Sequence, residues 1–440
     1  HREQLGAARM GQLPTGRLRA QPRRLSRVGA RGRPALARLE RRGREPAQRM
    51  AAGRTHRPCA GGAGDGRVPE VAADQSGSGE GAKAARVVQG RSMTTADRAL
   101  PEPFRAALDA VEGGGAQSMD QAEHAMACVM DGAVPDAALA RWLGGMALRV
   151  PDVAELVGFV KAFGARMVRV PTTTAPERIL DTCGTGGAPK VFNASTLAGL
   201  VAAAGGSPCA KHGNRSRTGF GSAETIAAMG LSIEGAPERQ ARQLDTIGFC
   251  FCMAPGHHPG AAHAAAVRRA MGVPTIFNVV GPLVNPAGAL RQVLGVWDER
   301  LMRPVAETLA AMGAVHAMVI HSCDGLDEVS ACAPTRFVLV DRGSVVDEGV
   351  IEPSQFGLQP HTKQPERARD LADAVSIATA LLEGRDAGAR RDMLVLNAAV
   401  ALVVAGHRLS WRDAAGLARD LLDSRRVLDL LHRLVEPVGT

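Results

Sequence analysis

The chain has 440 residues, 45% hydrophobic and 22% charged, enough to bury a sizeable core in two or three domains. Its formal charge of +9 first suggests a nucleic-acid partner, but residues 1–92 hold 19 Arg and 1 Lys against 7 acidic residues. That stretch carries +13 and leaves −4 on the remainder, so the basic pI comes from one end, and nucleic acid is not an expected partner unless that end is part of the protein.

Residues 1–92 are rich in Arg, Gly, Ala and Pro, the residues of GC-rich codons, and lack aliphatic periodicity. We expect them to be translated from upstream of a start at Met93. A disordered basic arm for nucleic acid or an anionic membrane is the second reading, and an organelle transit peptide the third. No apolar run is long enough to span a bilayer and no signal-peptide pattern occurs, so no membrane is expected. The eight cysteines are scattered without a Cys-x-x-Cys pair; Cys250 and Cys252, the one close set, read as buried free thiols, no zinc site is expected, and the composition fits a reducing cytosol.

From about Ala99 to Val170 the pattern predicts four helices and no strand. Ser118 and Gln121 form a capping box before Ala122, Met126, Val129 and Met130, which share a face, and Gly132 is placed to end that helix. Pro135 and Pro151 open two more. Pro171 to Pro176, with three threonines between, reads as a linker. Strands are then predicted at Ile179–Cys183, Pro208–Lys211, Phe249–Met253, Val293–Trp297 and Ala317–His321, with helices between them at Glu224–Met229, Pro237–Ile247 and Arg303–Met312. Thr335–Gly349 reads as an edge hairpin, and three amphipathic helices, Asp370–Leu382, Ala389–Val404 and Ser410–Leu422, finish the chain. The expected class is α/β: a small helical domain over 93–172, and a larger α/β domain over 173–440 with a mainly parallel central sheet.

The chemistry concentrates where predicted strands end. Asp181-Thr-Cys-Gly-Thr-Gly-Gly187 closes a strand in a glycine turn, and Asn193-Ala-Ser195-Thr196 opens the next helix. Bare N–H groups of a turn and a helix start favour an anion such as phosphate. The spacing fits neither a Walker loop nor a dinucleotide fingerprint, and plain capping by Asn193 and Ser195 explains as much. Lys211-His-Gly-Asn-Arg215 ends the next strand with two cations, an imidazole and an amide, where ligands bind in such sheets, and Ser222 follows. Asp324-Gly-Leu-Asp327-Glu328 follows the strand Ala317–His321, and adjacent carboxylates beside a phosphate pocket suit Mg²⁺. His257-His258-Pro259 lacks a third metal ligand. Arg268, on a helix, is either a solvated face or a bidentate partner for a carboxylate.

Together with Thr275-Ile-Phe-Asn-Val-Val-Gly-Pro-Leu-Val-Asn-Pro286, these segments resemble the anthranilate phosphoribosyltransferases of tryptophan biosynthesis, in the family's order, over roughly Pro103 to Val435. The resemblance implies a glycosyltransferase of the pentosyl class, usually a homodimer through its helical part, with small-molecule substrates and two Mg²⁺ per active site. It implies that Gly184, Gly187, Asn193, Ser195, Thr196, Lys211 and Ser222 bind 5-phosphoribosyl diphosphate. Gly184, His212, Asn214, His258 and Arg268 would bind anthranilate, and Ser195, Asp327 and Glu328 the metal. No acid or base is implied, because an aromatic amine is already neutral.

The chain departs from the family at Ala188-Pro189, at Val191 where a hydroxyl is usual, in the shortened Arg217–Gly221 loop, and at His257 and Gly260-Ala261. Alternatives are a paralogue with another aromatic amine acceptor, a pyrimidine nucleoside phosphorylase, and a non-catalytic nucleic-acid-binding relative.

Overall fold

The computed structural model describes residues 95–216 and 219–435. The Arg-rich stretch, the expected start at Met93, and Arg217 and Thr218 of the shortened loop lie outside these residues.

The first segment is helical, as its periodicity predicts: Glu102–Glu112, Met119–Met130, Asp136–Ala147 and Val153–Ala165. Ser118 Oγ accepts the Gln121 N–H at 3.2 Å and Gln121 Oε1 accepts the Ser118 N–H at 2.9 Å, the predicted capping box. Buried Trp142 packs against Phe104 and Phe159, with ring centroids 5.7 and 5.6 Å away. Gly158 lets Val153–Ala165 lie directly on Met119–Met130, because a Cβ there would overlap the Met119 carbonyl. Gly260 meets the C-terminal end of Met119–Met130: a Cβ would stand 2.6 Å from the Met130 carbonyl, which accounts for the small residue at this departure.

A seven-stranded sheet follows: β1 Leu180–Gly184, β2 Cys209–Gly213, β3 Phe249–Met253, β4 Arg291–Gly295, β5 His316–Ser322, β6 Thr335–Asp341 and β7 Ser344–Ile351. The order is β3-β2-β1-β4-β5-β6-β7; the first five are parallel, and the β6–β7 hairpin closes one edge antiparallel. The chain moves from β1 out to β2 and β3, then returns to β4 on the other side of β1. That reversal opens a crevice at the carboxyl ends of β1 and β4. One face of the sheet shares its core with the four helices, through Leu294, Val296, Ala317 and Val319. The other packs on Ala194–Ala204 and the C-terminal helices.

The chain ends in four helices, not the three predicted: Leu371–Leu382, Ala389–Val404, Trp411–Asp423 and Arg426–Val435. The last was hidden because Ser424 and Arg425 separate it without Gly or Pro; Arg425 itself takes φ 60°. Ala389–Val404 is not amphipathic, since every residue from Met393 to Val404 is buried. It lies between Ala194–Ala204 and Trp411–Asp423, so it has no solvent face. The Thr172–Thr174 linker is tied down: Thr173 and Thr174 donate both N–H and hydroxyl to the Asp245 carboxylate at 2.7–3.1 Å, and the Thr172 hydroxyl donates to it as well.

Candidate active site

The crevice at the ends of β1 and β4 gathers the predicted residues. Gly295 ends β4 where any Cβ would overlap the Asp327 carbonyl, and a Cβ on Gly184 would stand 2.7 Å from Asp327 Oδ2. The two glycines thus let the Asp327-Glu328 turn lie across the strand ends. Gly186 and Gly187 take φ 65° and 93°, so the turn after β1 needs glycine. A Cβ on Gly187 would stand 3.3 Å from Pro274 and 3.4 Å from Trp297, so a side chain there would also be crowded.

Asp327 and Glu328 are each only 5% exposed, and Asp327 Oδ1 and Glu328 Oε2 have no hydrogen-bond partner. Burial, then the neighbouring Asp327 charge, raises the pKa of Glu328; the Ser195 N–H and the Lys190 and Lys211 ammoniums act against this. Two buried carboxylates with orphaned oxygens keep unused acceptor capacity, which suits a divalent cation. Among the described residues no cluster of three or more His, Cys, Asp or Glu could hold a metal alone, so the remaining ligands must come from hydroxyl, substrate or water. Ser195 is placed for this by its N–H contact to Glu328, while its carbonyl accepts the Thr182 hydroxyl at 2.8 Å. Asp324 is engaged elsewhere, held by the Ser322, Ser330 and Gln364 side chains.

At the helix opening, Asn193 Nδ2 donates to Thr225 Oγ1 at 2.8 Å and its Oδ1 accepts from Ser222 at 3.4 Å. The buried Thr196 hydroxyl has no partner. Lys211 is 3% exposed and donates to the His212 carbonyl at 3.1 Å.

The second half of the site is drier. The His212 and His258 rings lie 5.1 Å apart, and Phe163 packs on His258 at 5.5 Å. Burial depresses both imidazoles, His258 to about 4, so both are neutral near pH 7. His212 Nε2 and both His258 nitrogens have no partner. The Arg268 guanidinium lies 4.9 Å over the Phe277 ring, and burial lowers its pKa. Its Nε has no partner and Nη2 donates to Asn278 Oδ1 at 3.4 Å. Asn214 stands apart: it is exposed, its Oδ1 accepts the Arg215 N–H at 2.8 Å, and it shares no hydrogen bond with Arg268.

Three side chains that support the site were not singled out from the sequence. Asn278 caps the helix Ile276–Val280, holds Arg268 and donates to the Thr185 carbonyl at 3.3 Å, joining the arginine to the glycine turn. Its signal was the Thr275-x-x-Asn278 capping spacing. Asp181 is fully buried, accepts from His212 N–H at 3.1 Å and from Asn285 Nδ2 at 2.9 Å, and so braces β1 against β2. Asn285 also donates to the Ala210 carbonyl at 2.8 Å. At the departure before His258, His257 Nδ1 meets the Val168 carbonyl at 2.7 Å, fastening the site to the segment that follows the helix Val153–Ala165.

Residues 176–426 match a glycosyl transferase family a/b-domain model. An anthranilate phosphoribosyltransferase from Rubrobacter xylanophilus is 40% identical over 334 residues, 76% of this chain and 96% of that protein. One from Methylobacterium radiotolerans is 40% identical over 336 residues, again 76% and 96%. The crystal structure of the Thermus thermophilus enzyme superposes with a TM-score of 0.69 at 34% identity, covering 75% of this chain and 98% of that one. The Saccharomyces cerevisiae enzyme, solved in complex with PRPP and Mg, has the same fold, with a TM-score of 0.66 at 22% identity over 76% and 96%. Likeness over three quarters of this chain and nearly the whole of these relatives, around one crevice at the β1–β4 reversal, makes this chain a member of the anthranilate phosphoribosyltransferase family.

Proposed function

We propose that the chain transfers the phosphoribosyl group of 5-phosphoribosyl diphosphate to the amino nitrogen of anthranilate and releases diphosphate, a step of tryptophan biosynthesis. The observation that carries this reading is the joining of two unlike half-sites at one strand crevice. Backbone N–H groups, Lys211 and the Asp327-Glu328 pair form an anionic-ligand half. Neutral His212 and His258, aromatic walls and the half-buried Arg268 form an aromatic-acid half.

Gly184, Gly187, Asn193, Ser195, Thr196, Lys211 and Ser222 bind the sugar diphosphate. The free Thr196 hydroxyl and the N–H groups of the Ala194–Ala204 helix start are suited to its phosphates. Arg268 pairs with the anthranilate carboxylate, oriented by Asn278, while His212 and His258 line the channel, and Gly184 and Asn214 complete the acceptor set. As the bond from ribose C1 to the diphosphate oxygen breaks, positive charge grows on the sugar and negative charge on the leaving group. The amine lone pair then closes on C1, and its surplus proton leaves to water. Catalysis is positioning and charge stabilisation. The orphaned oxygens of Asp327 and Glu328, with Ser195, fit Mg²⁺, two ions per site, which when bound neutralises charge on the departing diphosphate.

We further propose a cytoplasmic homodimer formed through the helical part, where Leu148 is 89% exposed. Among the described residues no helix is long and apolar enough to cross a membrane.

The test follows loss of anthranilate fluorescence with protein, 5-phosphoribosyl diphosphate and Mg²⁺. Turnover that needs all three supports the reading. Turnover of a substituted aromatic amine but not of anthranilate would replace the acceptor and keep the transfer. Light scattering of the eluting protein checks the dimer.

A further inference from the structure

Between the short helix Pro353–Phe356 and the helix Leu371–Leu382, residues 357–370 form neither helix nor strand, yet the segment is fastened along its length. The His361 N–H donates to the Ala331 carbonyl at 2.9 Å, and its Nε2 meets Asp392 Oδ2 at 2.8 Å. Gln364 Nε2 donates to Asp324 Oδ2 and to Ser330 Oγ, the latter at 3.1 Å. The Glu366 carbonyl accepts from Arg390 at 2.8 Å, and the Ala368 N–H donates to the Val191 carbonyl at 3.0 Å. A long irregular segment in a compact domain is uncommon unless it has a task.

Two of these contacts reach the donor half of the crevice from outside. Asp324 precedes Asp327 in the turn, Ser330 follows Glu328, and Ser330 Oγ donates to Asp324 Oδ2 at 2.6 Å. That bond closes the base of the turn that carries the carboxylate pair. Ser322 Oγ donates to the other Asp324 oxygen at 2.5 Å, and the Ser330 hydroxyl accepts the Cys332 and Ala333 N–H groups at 3.0 and 3.2 Å. The Gln364 amide thus grips both ends of the base at once. Its Oε1 is buried without a partner, so the amide is enclosed and presents its N–H side to the Asp324 carboxylate. The other contact is at Val191, which is 2% exposed and lies between the glycine turn and the helix Ala194–Ala204. One segment therefore ties the carboxylate turn to the link between the two phosphate-binding elements.

We propose that residues 357–370 are a strap that sets the carboxylate turn against the glycine turn, with Gln364 as its positioning residue. By clamping Asp324 to Ser330, Gln364 holds Asp327 and Glu328 in place for a divalent cation that carries diphosphate. This rests on the phosphoribosyl-transfer reading above. Gln364 acts through the turn and not on substrate, and among the described residues no hydrogen bond joins the strap to Arg268, His212 or His258. Its loss is felt by the metal and diphosphate and not by the acceptor.

The test titrates inorganic diphosphate into the full chain by calorimetry at a series of Mg²⁺ concentrations, with steady-state kinetics and melting temperatures alongside. It compares the wild type, Gln364→Ala, Gln364→Glu and the double variant Asp324→Asn/Gln364→Glu. In Gln364→Ala the Mg²⁺ needed for half-maximal diphosphate binding should rise about 10-fold, the lower end of what losing a group behind metal ligands costs. The KM for anthranilate should hold, and the melting temperature should change little, because His361, Glu366 and Ala368 still fasten the strap. Gln364→Glu should lose more, since two carboxylates then face each other. The double variant should recover most of that loss, because donor and acceptor are exchanged and the pairing is kept. A loss that came from a generally weaker fold would instead grow with the second substitution. Should Gln364→Ala fail to fold, Gln364→Glu against the double variant still decides. Equal Mg²⁺ dependence in wild type and Gln364→Ala overturns the strap, and so does a double variant no better than Gln364→Glu. A wild type that binds no diphosphate with Mg²⁺ overturns the transfer reading and this proposal with it. A wild type that binds diphosphate, responds to Gln364→Ala and leaves anthranilate unreacted upholds the strap and overturns the acceptor assignment alone.

Discussion

Gly295 and Asp327 show how single residues set the chemistry. Because Gly295 has no Cβ, the Asp327 backbone rests on the end of β4, and its carboxylate is delivered to Gly184 with one oxygen free. Asp327→Asn keeps that shape and removes the charge. Mg²⁺-dependent turnover should fall by at least about 100-fold, the scale of losing one preorganised charge-stabilising group, with little change in melting temperature. Retained kcat at saturating Mg²⁺ would remove Asp327 from the site. Arg268 makes a different contribution, since it stays half-buried over Phe277 with Nε unpaired and is available to a carboxylate. Arg268→Ala should raise the KM for anthranilate by about 10- to 100-fold and leave the KM for the sugar donor nearly unchanged. Asn278→Ala should raise the acceptor KM less, because it frees the guanidinium without removing it. An Asn278→Ala variant equal to Arg268→Ala would mean the glycine turn, and not the arginine, is what Asn278 holds.

At the scale of elements, close approach between helices decides the packing. Gly158→Ala would place a methyl on the Met119 carbonyl and 2.8 Å from the Glu123 nitrogen, so the two helices must separate. Overpacking of this kind costs about 1–3 kcal/mol, and the melting temperature should fall accordingly. An unchanged melting point would mean that the pair is loose. The same elements explain what could be read in advance. Strand ends, caps and glycine turns are local signals, and the capping box at Ser118 and the limits of Phe249–Met253 and Pro237–Ile247 match the structure residue for residue. Lys211, Asp327 and Glu328 stood out because their polarity breaks an apolar strand end. Asn285 and Asp181 did not, because a buried carboxylate–amide brace depends on β1, β2 and the segment before β4 meeting, and the two residues are 104 apart in the chain. Arg426–Val435 escaped because no breaker residue precedes it, and the all-buried face of Ala389–Val404 appears only once helices cover both its sides.

Across the whole molecule, burial of imidazoles couples stability to pH. His212, His257, His258, His316 and His407 all have lowered pKa values, with desolvation as the leading cause. For His258 the value falls from 6.5 to about 4. Between these values the unfolded chain binds more protons than the folded one, so stability rises with pH. The contribution is complete above pH 6.5 and is lost as pH falls toward 4; a shift of this size corresponds to a few kcal/mol, on the order of 3 at most. Asp181 and Glu328 slope the other way, because burial raises their pKa values, so the wild-type curve alone does not isolate the histidines. The difference between wild type and His258→Phe does. Phenylalanine fills the space beside Phe163 and His212 without a site to protonate. Thermal melting of both proteins from about pH 7.5 to about pH 4.5 should therefore show the wild type losing more of its melting temperature than the variant below pH 6.5. Parallel curves through that window would mean that His258 takes up its proton as readily in the folded protein as in the unfolded chain, and that the acceptor half of the crevice is wet instead of dry.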